Sequence, residues 1–257
     1  MHLLASAISR GANLQTHTPV TSISDQPLPD GRWQVHTARG TILARKLLFA
    51  TNGYTQAIAP QFTNHIVPVR GICSRIVVPL GSPRPFLPYT YSIRHSAGVY
   101  DYLISRSDGS IIVGGAKPTF WSDRKQWYDN VDDSTLIEPA RHYFDGLMQR
   151  TFAGWEDSGA VTDQVWTGIM GWSNDWMPYV GHVPGKPGQM ILGGFSGHGM
   201  PLILLSAKGV VKMLRDGVSL EEAGVPGVFA ATEERLRSER NEILEDPKGG
   251  AARESKL

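Results

Sequence analysis

Residues 190–214, MILGGFSGHGMPLILLSAKGVVKML, carry three successive signals whose order decides the fold. Met190, Ile191 and Leu192 are an apolar run of the kind that makes a short buried strand. A loop with four glycines follows over 193–199, and Pro201 then stands in the first turn of an apolar helix. A strand that ends in a glycine-rich turn and feeds a helix exposes backbone amides with the positive end of the helix dipole behind them. Such a junction admits an electron-rich ligand group where side chains would otherwise stand. Taken alone, it is equally an ordinary strand-to-helix connection.

Upstream, Lys46-Leu47-Leu48-Phe49 halts at Ala50-Thr51-Asn52-Gly53. An apolar strand stopped by small and turn-forming residues reads as a parallel strand buried on both faces. Before it, Leu3, Leu4, Ala7 and Ile8 share one face of a helix that ends near Gly11. Residues 14–23 read as extended with Pro19 interrupting. A strand over 33–37 follows the Pro29-Asp30-Gly31 turn, and 41–49 supplies its partner. Between the two apolar strands, 72–78, 99–105 and 110–114 read as strands, the last two joined at Ser107-Asp108-Gly109, which implies an antiparallel sheet. Residues 133–150 read as helical. The chain then returns through 161–170 and 175–180.

Composition narrows the function classes. A chain of 257 residues with 41% hydrophobic side chains can bury a substantial core. Its 25 basic and 24 acidic residues leave no overall field to draw in nucleic acid or an anionic membrane, so small molecules are the expected partners. Cys73 is the single cysteine: it has no disulfide partner and no companion for a metal site, which fits a reducing compartment. No apolar run reaches the length of a membrane span, and the first residues lack the pattern of a secretory signal. Ser255-Lys256-Leu257 matches the tripeptide read by the peroxisomal import receptor, and the polar, Gly-rich 246–254 before it would leave it accessible. The expected address is the peroxisome.

Gly194-Phe195-Ser196-Gly197-His198-Gly199 resembles the C-terminal flavin-contacting segment of the FAD-dependent oxidoreductases related to D-amino-acid oxidase, sarcosine oxidase, glycine oxidase and gamma-glutamylputrescine oxidase. Ala50-Thr51-Asn52-Gly53, Thr18-Pro19-Val20 and Val67-Pro68-Val69-Arg70-Gly71 resemble further segments of that family, in the family's order. The resemblance implies an α+β (α/β) fold: the C-terminal part of a Rossmann-like FAD-binding domain interleaved with an antiparallel-sheet substrate domain. On this reading 1–66 is a remnant of the FAD-binding domain, 67–180 the substrate domain and 181–225 the final strand and helix of the FAD-binding domain, with 226–257 a polar tail. It implies that Gly194, Phe195, Ser196, Gly197, His198, Gly199 and Met200 lie against the flavin ring, that Thr51 and Asn52 lie near the dinucleotide, and that the Val20 backbone meets the adenine. His198 would position rather than act as a base. Tyr102, Trp166, Trp172 and Trp176 are candidates for a substrate cavity, although any one aromatic of this kind is more often a core residue of the sheet.

The implied reaction is oxidation of a C–N bond of an amine or amino-acid-like substrate, with dioxygen as acceptor and hydrogen peroxide as product. It needs a positioned C–H bond and exclusion of water more than a catalytic triad, and no triad stands out here. Three departures bear on this. Thr167-Gly168-Ile169-Met170 stands where sarcosine oxidases carry the cysteine that attaches their flavin, so the FAD is expected to be noncovalent. Met200-Pro201-Leu202 replaces a carboxylate-binding lysine, which favours an amine without a carboxylate grip at that point. The Gly-x-Gly-x-x-Gly segment that holds the ADP part of FAD is missing, so the chain reads as N-terminally truncated. Alternatives on the sequence alone are a noncatalytic fragment, a binding protein that keeps the pocket without FAD, and a tailoring oxidase of a bulky metabolite.

Overall fold

The computed structural model describes residues 2–245 apart from 83, 84 and 97; the 255–257 tripeptide and the polar segment before it lie outside the described residues. In chain order, α1 (His2–Ser9) precedes β1 (Val20–Ile23), β2 (Trp33–Thr37), β3 (Gly40–Ala44) and β4 (Leu47–Phe49). β5 (Ile66–Val77), β6 (Thr90–Ser96), β7 (Val99–Ser105) and β8 (Ile111–Gly114) lead to the short helices α2 (Lys117–Phe120) and α3 (Leu147–Thr151). β9 (Val161–Ser173), β10 (Tyr179–His182) and β11 (Gln189–Gly193) run into α4 (Gly199–Asp216), α5 (Glu233–Arg237) and α6 (Glu242–Glu245). The fold is mixed helix and sheet, as the sequence implies.

Three sheets result. The antiparallel meander β1-β2-β3 stands apart from a sheet of order β10-β11-β4, in which β11 pairs parallel with β4 and antiparallel with β10. The third, of order β6-β7-β8-β5-β9, is antiparallel throughout and is built on the long β5–β9 ladder, from Ile66 opposite Ser173 to Val77 opposite Val161. Val67, Val69, Ile72 and Ile76 of β5 feed the largest apolar core together with Leu103, Phe144 and Met148. α4 closes the second sheet, its Val210 and Met213 packed with Val180 and Met190. Gly209 lets the segment after α4 pack against the helix, since a Cβ there would lie 2.3 Å from Val225 Cγ2.

Two local expectations change. β4 is an edge strand with Leu48 40% exposed, so the run 46–49 is covered on one face and paired on one side among the described residues, not buried on both. Residues 133–150 do not form one helix. Their buried positions, Ile137, Ala140, Phe144, Leu147 and Met148, keep helical spacing, yet the backbone closes successive i to i+3 turns, with Ala140 N bonded to Ile137 O at 2.9 Å and Leu147 N to Phe144 O at 3.1 Å. Pro139 lacks an amide donor and Gly146 adopts φ 64°, so a continuous ladder cannot run through either.

The segment after α4 is stapled to the rest by Arg235. Its guanidinium holds Asp175 through two bonds of 2.8 and 2.9 Å, donates to the carbonyls of Met177, Pro178 and Ala230, and lies 3.8 Å from the Tyr179 ring centroid. Arg235→Met keeps the stem but leaves Asp175 and three carbonyls without their donor. A loss of about 2–3 kcal/mol is expected, the size of a charged hydrogen-bond set that is partly open to water. A lower urea midpoint at unchanged m-value would record it.

Candidate functional site

Three segments remote in sequence meet at the end of β11. Asn52, in the left-handed region at φ 45°, turns its side chain so that Oδ1 accepts the Gly194 N–H at 3.0 Å. β9 crosses the same turn with no room for a side chain: a Cβ on Gly171 would lie 2.5 Å from Asn52 Oδ1 and 2.6 Å from Gly53 N. Ser196, itself at φ 51°, donates its N–H to Gly171 O at 2.9 Å, and its Oγ accepts the Ser173 N–H at 3.1 Å. The loop 194–199 is thus bolted at both ends to the β4 turn and to β9. Gly171→Ala is expected to cost about 1–3 kcal/mol, because the clash is with backbone and a fixed amide. Gly168→Ala on the same strand, with nothing within 4 Å of its added Cβ, is the matched control that thermal melts should show nearly unchanged.

A cavity of about 440 Å³ opens beside this loop. Gly71 and Gly168 face one another across β5 and β9; the Met170 methyl lies over Gly71, 2.9 Å from where its Cβ would stand, while Gly168 is left open. Trp172, Trp176 and Trp121 line the cavity with Trp166 and Tyr102, and Ser196, Gly197 and His198 form the loop side. Trp121 is stacked on Trp127 with ring centroids 3.7 Å apart at 9°, which makes that wall rigid. Tyr102 donates to or accepts from Cys73 Sγ at 2.9 Å; burial pushes both the phenol and the thiol above their ordinary ranges. Gly114 makes room for that phenol, as a Cβ there would lie 2.2 Å from its oxygen.

The four aromatic candidates therefore converge on one cavity, together with Ser196, Gly197 and His198. Gly194, Phe195 and Ser196 are buried; Phe195 forms an isolated bridge to Trp172, and the surfaces of Gly197 and His198 are exposed. His198 Nδ1 lies 3.0 Å from Ser196 O, so the ring donates from Nδ1 and keeps Nε2 as its acceptor. Thr51 bonds Thr55 Oγ1 at 2.9 Å, and Asn52 serves the loop as described. Gly199 begins α4, and Met200 in its first turn is 94% exposed; neither lines the cavity. Val20 lies in β1, opposite Thr37, on the separate meander. Sequence reading passed over Lys117 and Trp121. The signal was present: Gly114-Gly115 ends a strand, and Lys117 and Trp121 follow four residues apart, one helical turn.

Among the described residues no three His, Cys, Asp or Glu side chains gather as metal ligands, and no helix is long and apolar enough to cross a membrane. The site suits a flat organic ring. Gly168, with nothing within 4 Å of an added Cβ, and the left-handed Gly197, at φ 78°, offer bare backbone, while the dipole of α4 starts immediately after.

The family described as FAD dependent oxidoreductase matches residues 1–213, and the chain belongs to it. Over 201 residues it is 28% identical to the probable oxidoreductase OrdL of Rhizobium meliloti (strain 1021), covering 78% of this chain and 42% of that protein. Among solved structures, glycine oxidase from Geobacillus kaustophilus superposes with a TM-score of 0.66 at 19% identity, over 90% of this chain and 56% of that one. An L-amino acid deaminase from Proteus myxofaciens, in complex with anthranilate, gives 0.64 at 15% identity, over 92% and 59%. The chain thus spans about half the length of these relatives. The family is FAD-dependent.

Proposed function

We propose that the protein oxidises a C–N bond of an amine or amino-acid-like substrate, with dioxygen as the acceptor and hydrogen peroxide as the second product. The observation that carries this reading is that the loop 196–198, whose sequence resembles the family's flavin-contacting segment, and the aromatic walls line the same cavity. When bound, FAD supplies the two-electron acceptor for the C–H bond next to nitrogen. The chain's own part is to hold that carbon over bare backbone at Gly168 and Gly197, to exclude water with Trp121, Trp172 and Trp176, and to position the substrate through His198. The substrate gives up a hydride equivalent from carbon to that acceptor and a proton from nitrogen to solvent, leaving an imine that water hydrolyses to a carbonyl compound and an amine or ammonia. With no cysteine in 167–170, the FAD would be held noncovalently.

The test uses the full-length protein under anaerobic conditions: its flavin absorbance should bleach on adding a primary or secondary amine or an amino acid, and admitting air should restore it with release of peroxide. Gly197→Val is expected to abolish the bleaching at least a hundredfold in rate, because a branched side chain would stand on the bare face at φ 78°. Bleaching by no compound of these classes, or an unimpaired Gly197→Val variant, would overturn the reading.

The tripeptide 255–257 supports a peroxisomal address, which suits an enzyme that releases peroxide. A fluorescent protein ending in residues 246–257 should collect in peroxisomes and disperse when the last three are deleted. A diffuse signal from the intact tail would remove the assignment.

A further inference from the structure

The tryptophans beside 196–198 form one continuous wall. Between ring centroids, Trp172 lies 5.0 Å from Trp176, 5.9 Å from Trp121 and 6.5 Å from Trp127. Trp121, Trp172 and Trp176 line the cavity, while Trp127 is buried behind them. On one side this wall is tied to β5: Trp127 O accepts the Arg70 N–H at 2.8 Å, and Tyr128 forms an isolated bridge to Val69. Its other side is met by residues 240–244, which lie beyond residue 213, the end of the family match. Ile243, 1% exposed, is buried in the same apolar core as Trp127 and Trp172. With Leu244 it lines a second cavity, of about 600 Å³, whose other walls include Trp121 and Trp127. Asn241 Nδ2 donates to the Tyr128 hydroxyl oxygen at 2.7 Å, and the Tyr128 ring stands edge-on to Trp127 with centroids 5.6 Å apart.

Segment 240–243 is itself anchored at the other end of the wall. Asn174, buried midway in sequence between Trp172 and Trp176, donates from Nδ2 to Arg240 O at 3.0 Å and accepts the Glu242 N–H on its backbone oxygen at 2.8 Å. Its Oδ1 accepts the Tyr179 hydroxyl at 2.8 Å, which fixes the amide that makes the first of these bonds. Upstream, the Arg235 guanidinium on Asp175 and a parallel bridge from Ala230 to Val180 hold the approach. The segment therefore runs as a strap from the turn after β9 to the loop that carries Trp121 and Trp127. Because the second cavity leaves open space on that side of the stack, the strap is what stops the two rings from moving back. Packed rings hold their place only while their neighbours fill the adjoining volume, and the loss of a few methylenes lets them shift. Room gained behind Trp127 is room that Trp121, stacked on it, yields to the cavity in front.

We infer that Asn241 and Ile243 are positioning residues for specificity: by propping the Trp121–Trp127 stack from behind, they limit the bulk of the group that the cavity beside 196–198 accepts. The substrate class is one whose group on this side is compact, since a fused or branched ring system requires the stack to retreat. This rests on the proposed function for that cavity being where the substrate binds, while the propping itself is a property of this chain's own packing.

Cys73 lines the same cavity and is the single cysteine, so its reaction reports what the cavity admits. The experiment follows the rate at which Cys73 of the 257-residue chain reacts with methyl methanethiosulfonate and with the bulkier benzyl methanethiosulfonate. Ile243→Ala and Asn241→Leu should each raise the benzyl-to-methyl rate ratio about fivefold or more, as the stack retreats. Ile243→Leu, which conserves volume, should leave the ratio near that of the unaltered chain. General loosening of the fold speeds both reagents alike, so the ratio separates positioning from plain destabilisation. Asn241 is only half-buried, which keeps the test in hand should Ile243→Ala fail to fold. An unchanged ratio in both variants, equal acceleration of both reagents, or a Cys73 that stays inert in both would each overturn the assignment. No flavin enters this measurement. A ratio that moves as expected, alongside a flavin that no amine reduces in the full-length protein, would sustain the strap's role and reject the oxidation reading.

Discussion

The close crossing of β9 over the β4 turn is the constraint on which the rest of the structure depends. Gly171 and Gly53 have no side chains because there is nowhere to put them: a Cβ on Gly53 would lie 2.9 Å from Met170 O, and one on Gly171 would strike Asn52. With the backbones in contact, the Asn52 amide can reach the Gly194 N–H, and Ser196 can reach Gly171 and Ser173. The parallel pair β4–β11 and the antiparallel ladder β5–β9 are joined here, which places a loop from one sheet over the floor of the other. Each such glycine costs about 0.5–1 kcal/mol of chain entropy relative to alanine. That cost is offset only if the approach is kept, so the site and the fold share one set of contacts.

Strain gathers around the same point. Asn52, Ala116, Trp176 and Ser196 are non-glycine residues with positive φ, at 45°, 58°, 67° and 51°; Trp176 and Ser196 line the cavity, Ala116 stands between Gly115 and Lys117, which also line it, and Asn52 bonds its loop. Left-handed backbone costs an L-residue roughly 1–2 kcal/mol, so it persists where surrounding bonds over-determine it. Three of the four have such a bond on hand: Asn52 to Gly194, Ser196 to Gly171 and Ala116 to the buried Asp101. The loop and the cavity wall are therefore shaped by backbone, and the side chains on them decorate a fixed frame.

How much of this was legible in the sequence depends on the range of the forces involved. The run 190–214 announced strand, loop and helix because apolar period, glycine and proline act within a few residues. The meander and the hairpin at 107–109 were readable for the same reason. The failure at 133–150 is instructive: Ile137, Ala140, Phe144 and Met148 carry a true helical period, but Pro139 and Gly146 act on the backbone, and the apolar period is met by tighter turns instead. The aromatic candidates could be named as rings able to line a cavity. That Trp166, Trp172 and Trp176 share one with 196–198 depends on the register of β5 against β9, which no local pattern encodes. Lys117 was passed over because its one-turn spacing to Trp121 gains meaning only from its neighbours, two rings from separate segments and a carboxylate behind them.

Those neighbours also explain why a cation can sit there at all. An ammonium taken out of water loses hydration that an aromatic wall alone returns only in part, by about 0.5–2 kcal/mol per face. Asp101 does not neutralise it directly, since its oxygens are already taken by Ala116, Tyr143 and His95. What Asp101 does is fix the backbone from which Lys117 extends, so that the ammonium is held against the Trp121 and Trp172 rings by the frame behind it.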